Sequence, residues 1–137
     1  MVPNWRISVV TAGTVACVGL AGCGSVSDRE TSAAGVAERF LAAVAADDGA
    51  AACGVLTPDA VATIEDDSGE PCADAVLDED LPSPRPPTDT AVYGQWARVR
   101  LGDEAVFLAM FPGGWRVAAA GCRPRGERPY DCAVDGG

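Results

Sequence analysis

Residues 81–120 read LPSPRPPTDTAVYGQWARVRLGDEAVFLAMFPGGWRVAAA, and this stretch decides the fold class. Its opening, Leu81–Thr90, carries prolines at 82, 84, 86 and 87, a density that prevents both a helix and a hydrogen-bonded ladder. The segment is therefore a connector and marks a change of structure type. Behind it stand three strand candidates, Ala91–Leu101, Ala105–Phe111 and Trp115–Ala120. Gly102-Asp103 reads as a two-residue hairpin turn and Pro112-Gly113-Gly114 as the next. An antiparallel meander follows from that order. Beyond it, Cys122–Cys132 (CRPRGERPYDC) forms a final loop, and residues 133–137 are expected to be a loose tail.

Ahead of the connector the apolar period changes to that of a helix. From Thr31 to Asp48, Val36, Phe40 and Val44 recur every four positions beside Ala37 and Leu41, with Thr31 or Ser32 as the cap and Gly49 as the stop. A short second helix, Ala50–Leu56, carries Cys53. Thr57-Pro58 then reads as a cap followed by proline at the first helical position, starting a third helix that runs to about Asp66 with Val61 and Ile64 inward. Ser68-Gly69-Glu70-Pro71 breaks it and delivers Cys72. The fold class expected is α+β, with N-terminal helices packed on a curved antiparallel sheet.

At the N-terminus, Arg6 is followed by 21 residues, Ile7–Ser27, without a charged side chain, the layout of a positive region and an apolar region read by the export machinery. Within it Leu20-Ala21-Gly22-Cys23 resembles the lipobox of bacterial lipoproteins. That resemblance implies a signal peptide over residues 1–22, cleavage before Cys23, and a diacylglyceryl group on the Cys23 thiol. Two acyl chains, at about 0.8 kcal/mol per buried methylene, hold a protein stably at a membrane. Two alternatives stay open. The run is about as long as the roughly 20 residues that span a bilayer, although glycines and hydroxyl residues dilute it, and a plain secreted protein could be cut elsewhere, Cys17 being the poorer lipobox. All three place the remainder outside the cytoplasm.

Removing residues 1–22 leaves 115, of which 23–32 (CGSVSDRETS) read as the lipidated cysteine and a flexible tether and 33–132 as one small domain. Four cysteines remain, Cys53, Cys72, Cys122 and Cys132, and an even count in an oxidising compartment reads as two disulfides. Of the three pairings, the local one, Cys53–Cys72 with Cys122–Cys132, is favoured because each pair lies in one supersecondary unit. Each such loop contributes on the order of 3 kcal/mol.

Charge narrows the partners. The mature chain has nine arginines, no lysine and 20 acids, a net −11, and the whole chain has no histidine. Between Phe40 and Pro84 lie eleven acids and no base, whereas Arg85–Gly137 holds seven arginines and six acids. Nucleic acid is excluded as a partner of the acidic half, which repels phosphates. Anionic headgroups repel it too, so the domain is expected to stand off the membrane on its tether. The all-arginine basic set and heavy use of Ala, Gly, Asp and Pro point to a GC-rich genome.

Helices followed by a curved antiparallel sheet, opening on AERFLAAVAADDGAAACGVLTPDA, resemble the NTF2-like (SnoaL-like) cone fold found in many small actinobacterial lipoproteins. The resemblance runs from about Thr31 to Ala120 and is one of pattern; this domain offers fewer strands than the family builds. Enzymes of that family use a carboxylate, tyrosine or histidine inside the cone. The missing histidine removes the usual proton shuttle, serine triads and most zinc sites; a carboxylate base with Tyr93 is what would remain. No acid in the strands is placed inward, Asp103 and Glu104 falling in a turn, so the expected function is a non-catalytic binding or accessory module, with no cofactor and no metal, and an NTF2-like small-molecule enzyme as the alternative. Glu65-Asp66-Asp67 and Asp78-Glu79-Asp80 could gather calcium, but without EF-hand spacing they read as a solvated face. Trp96 and Trp115 read as sheet packing, or as the lining of a pocket. The local excess of positive charge, Arg123, Arg125 and Arg128 ending in Tyr130, is a candidate surface for an envelope protein or an anionic wall polymer. The other reading is that these arginines neutralise the acidic half.

Overall fold

The computed structural model of the chain describes residues 24–137. The proposed signal peptide and Cys23 lie outside the described residues. Four helices and a short 3-10 turn are followed by six strands, so the fold is α+β with helices first and a curved antiparallel sheet after. Among the described residues no helix is long and apolar enough to cross a membrane.

The first helix, α1 (Val26–Ala45), begins well before Thr31. Ser25 and Asp28 form a reciprocal capping box: the Ser25 hydroxyl accepts from the Asp28 amide at 3.1 Å, and the Asp28 carboxylate accepts from the Ser25 amide at 3.0 Å. Hydrogen bonds from Ser25 hold the Asp28 carboxyl below its usual range. Thr31, expected as a cap, instead donates its hydroxyl to the Ser27 carbonyl inside the helix. The flexible tether expected over residues 23–32 is thus corrected: from Val26 onward this segment is helix, because Ser25-x-x-Asp28 supplies a start signal that its polar composition hides.

α1 ends where Asp47 turns left-handed, at φ 55°, and Asp48 caps α2 (Gly49–Gly54) by accepting from the Ala51 amide. Gly49 therefore opens α2 and does not terminate α1. A Cβ there would meet the Ala73 carbonyl oxygen at 1.7 Å, so glycine lets α4 (Cys72–Ala75) approach. Thr57 caps α3 (Pro58–Ser68) through the Ala60 amide, with proline at the first position and Gly69, at φ 70°, closing the end. Cys53 on α2 is bonded to Cys72 on α4, which staples the second helix to the segment after the third. A 3-10 turn, Val76–Asp78, leads into the proline connector.

The sheet runs β1 (Asp89–Tyr93), β2 (Trp96–Leu101), β3 (Glu104–Phe111), β4 (Gly114–Arg125) and β5 (Arg128–Asp131) in order, with β6 (Val134–Asp135) also on β4. Three strands were expected; the described residues form six. Ala91–Leu101 is not one strand: Gly94, at φ 58°, turns the chain so that Tyr93 pairs with Trp96. The strand expected to stop at Ala120 continues to Arg125, and the expected loop Cys122–Cys132 is the β4–β5 hairpin, closed by the Cys122–Cys132 bond. Between Ala105 and Phe107 of β3, which face Cys122 and Ala119, β4 contributes one residue more. This bulge, with Gly121 at φ 63°, and a second shift beside Leu108 bend the strand and curve the sheet.

One face of the sheet and the helices enclose the core. Phe40, Leu41, Leu56, Val76, Val99, Leu101, Val106, Leu108, Val117 and Val134 are all essentially inaccessible. Of the expected inward residues Val36, Ala37, Phe40, Leu41 and Ile64 are buried, while Val44 and Val61 are half-buried at its rim. A smaller cluster on the other face joins Ala105, Ala119 and Cys122 to Phe107, Tyr130 and Cys132.

Residues 133–137 are likewise not a loose tail. Val134 is 1% exposed, the Ala133 amide donates to Ala120, and the Gly136 amide donates to Ala118. Gly136 passes so close to α3 that a Cβ would sit 2.8 Å from the Ala60 nitrogen. Burying one such aliphatic side chain is worth about 1.5–3 kcal/mol, and each backbone hydrogen bond about 1 kcal/mol. A chain ending at Cys132 should accordingly lose at least about 2 kcal/mol in denaturant unfolding, by those same terms; unchanged stability would show that β6 holds nothing.

Candidate functional site

The strand order gives the domain two distinct ends. The β1–β2 turn (Gly94-Gln95) and the β3–β4 turn (Pro112-Gly113) lie at one end; the β2–β3 turn (Gly102-Asp103) and the tip of the β4–β5 hairpin lie at the other. The start of α1 belongs to the first end. There the Arg29 guanidinium donates to the Gly94 carbonyl and stacks 5.4 Å from the centroid of Trp115. α1 then runs beside the connector, since a cleft of about 420 Å³ lies between its Ser27, Thr31 and Gly35 and residues Pro87 and Thr90.

The residues singled out at the hairpin do not act as one group. Arg123 is engaged: its Nε donates to Glu104 Oε1 at 2.9 Å and its Nη2 to Asp80 Oδ2 at 3.3 Å. The Glu104 hydrogen bond, then the charges of Glu104 and Asp80, push the Arg123 pKa further up from its already high value. Tyr130 packs its ring edge-on against Phe107, with centroids 5.0 Å apart, and so belongs to the smaller apolar cluster. Arg125 donates Nε to the Pro129 carbonyl within the hairpin. Arg125 and Arg128 are exposed at its tip. Arg123 thus pairs with one acid of the helical half and one of the sheet, while Arg125 and Arg128 remain on the surface. A cleft of about 530 Å³ beside them is lined by Arg85, Leu101, Asp103, Glu104, Arg123 and Pro124.

Cone chemistry would need a polar group in the interior. Polar groups there, among the described residues, are the Thr57 hydroxyl, which caps α3, and the Trp115 indole N–H, which is buried without a hydrogen-bond partner. Tyr93 stands on the outer side at the end where α1 begins, 59% exposed, while Asp103 and Glu104 lie at the far end. The two Trp residues part company. Trp115 is buried at 5% and Trp96 is 53% exposed.

The two acid runs meet in part. Charges on Asp67 and Asp78, after burial itself, raise the Glu79 pKa. Glu65 instead accepts from the Cys72 amide, and Asp80 binds Arg123. Among the described residues no group of three or more acids and cysteines converges as a metal site would require.

Sequence reasoning missed the exposed pair Tyr93–Trp96. The signal was Gly94, whose freedom at positive φ lets two aromatics face each other across a tight turn. Comparison with protein-family models, with curated proteins and with solved structures returns no match for this chain.

The division among the arginines is testable by melting. Arg123→Ser should lower Tm, because it leaves Glu104 and Asp80 uncompensated, whereas Arg125→Ser with Arg128→Ser should leave Tm unchanged. Equal effects from the two variants would contradict it.

Proposed function

We propose that this chain is a lipoprotein of the bacterial cell envelope, anchored through diacylglyceryl on Cys23, whose domain works outside the cytoplasm as a non-catalytic binding or accessory module. Its layout of helices before a curved sheet is similar to the NTF2-like cone, with the cone closed by its own side chains. The observation that carries the functional half is the filled interior: the space between the helices and the sheet is occupied by Phe40, Leu41, Leu56, Leu108 and the valines around them, and the carboxylate at its rim, Glu104, is paired with Arg123. A small molecule has no chamber there in which to be desolvated and attacked. Recognition then falls to the surface, and the hairpin tip with Arg125 and Arg128 offers guanidinium groups to an acidic envelope protein or a wall polymer. The disulfides Cys53–Cys72 and Cys122–Cys132 suit an oxidising compartment.

The address rests on Leu20-Ala21-Gly22-Cys23 and the uncharged run before it. Cys23→Ser should shift the protein from the membrane fraction to the soluble fraction, or leave an unprocessed precursor of higher mass. A variant with the wild-type mass, still bound to the membrane, would contradict the lipid anchor and favour the uncleaved helix.

A further inference from the structure

Large apolar side chains left in water among the described residues are Val26, Tyr93 and Trp96, at 63%, 59% and 53% exposure. Scattered exposed apolar residues are ordinary on protein surfaces. These are not scattered. Tyr93 and Trp96 face each other across the Gly94-Gln95 turn, and Arg29, one helical turn beyond Val26, donates to the carbonyl of Gly94. All three side chains belong to the end of the domain at which the chain enters.

Where that end stands depends on how much chain precedes it. α1 begins at Val26 with its cap at Ser25, so Gly24 and Ser25 alone separate Cys23 from the helix. Three chain steps, fully extended, reach at most about 11 Å. On the lipoprotein reading, which this inference rests on, the acyl chains of Cys23 lie in the bilayer, and the start of α1 cannot stand farther off than that. The headgroup region of a bilayer is itself about 5–8 Å deep on each side. Tyr and Trp suit this zone, having an apolar ring and a polar tip that stays wet. Asp28 and Glu30 accompany Arg29 in the first turns of α1 at this end, whereas the denser acidic cluster lies elsewhere. Asp80 is held by Arg123 at the opposite end, and Asp67, Asp78 and Glu79 cluster with the same acidic segment.

We propose that in the anchored protein the end formed by Val26, Tyr93 and Trp96 rests in the headgroup region of the membrane that holds the Cys23 lipid. The domain is then seated on the bilayer instead of hanging from a tether, and the Arg125–Arg128 hairpin tip points away from it. Lipid and aromatic turn make two footholds, which fix the domain's orientation where a single attachment would leave it free to rotate.

The test uses the full lipidated protein, purified from membranes and reconstituted into phosphatidylcholine vesicles with or without brominated acyl chains. Mass analysis of the mature N-terminus first establishes whether Cys23 carries lipid. The Trp96 emission is read as the difference between wild type and Trp96→Phe, a mild change at an exposed position that leaves the buried Trp115 in both. The expected result is a Trp96 signal that is blue-shifted and lost to bromine quenching. A lipidated protein whose Trp96 emits as in water would overturn the seating and restore a stand-off domain. A blue-shifted but unquenched Trp96 would also overturn it, assigning the turn to a protein contact or a second copy. Absence of lipid at Cys23 would remove the lipoprotein reading together with the seating built on it, and the mass distinguishes that failure from the other two.

Discussion

Val117 donates its amide to the Val55 carbonyl and accepts from the Thr57 amide, both at 2.8 Å, and these two bonds tie the helical half to the sheet. They form a parallel bridge between Leu56 and Val117, so the turn between α2 and α3 is in effect one more partner for β4. The same strand carries Trp115 beneath Arg29, Val117 in the core, the bulge at Gly121 and Cys122 in its disulfide. β6 lies on it a little farther along. Backbone groups buried at such a junction need partners, since each one left unmade costs about 1–3 kcal/mol. The bonds of Val117 are what allow the α2–α3 turn to be buried with Leu56 and Thr57 inside.

Much of this was legible from residue pattern. Thr57-Pro58, the glycine stop at Gly69 and the turn at Gly102-Asp103 carry local signals strong enough to act without tertiary help. The local disulfide pairing followed from cysteine spacing, and both bonds are present. What escaped was set by contacts distant in sequence. Nothing near Val134 says that its strand will lie against α3 and be buried, and nothing near Gly121 says that β4 must swing past Asp80 and Ala133. Tyr93-Gly94-Gln95-Trp96 lacks the Asn-Gly or Asp-Gly signature of a two-residue turn, and so reads as strand interior. The start of α1 was legible in principle, since Ser25 and Asp28 stand in capping-box spacing, but a run of Ser, Asp, Arg, Glu and Thr also has the composition of a tether.

The candidate site was legible in part, for the same reason. Charge on Arg123, Arg125 and Arg128 is a property of the sequence; that Arg123 is engaged by Glu104 and Asp80 is a property of the fold. The result is a domain with unlike ends. One end gathers the chain entry and exposed aromatics, the other gathers paired charges and a cationic hairpin tip, and between them lies the apolar core.

The filled interior carries the most weight, and it is open to a direct measurement. Apolar cavities that lack water take up xenon, so methyl resonances of Val99, Leu108 and Val117 can be followed while the protein is pressurised with the gas. A solid core predicts no saturable shift at these methyls. Saturable shifts confined to them would reveal a chamber between helices and sheet, contradict the surface-binding module, and return the NTF2-like enzyme to first place.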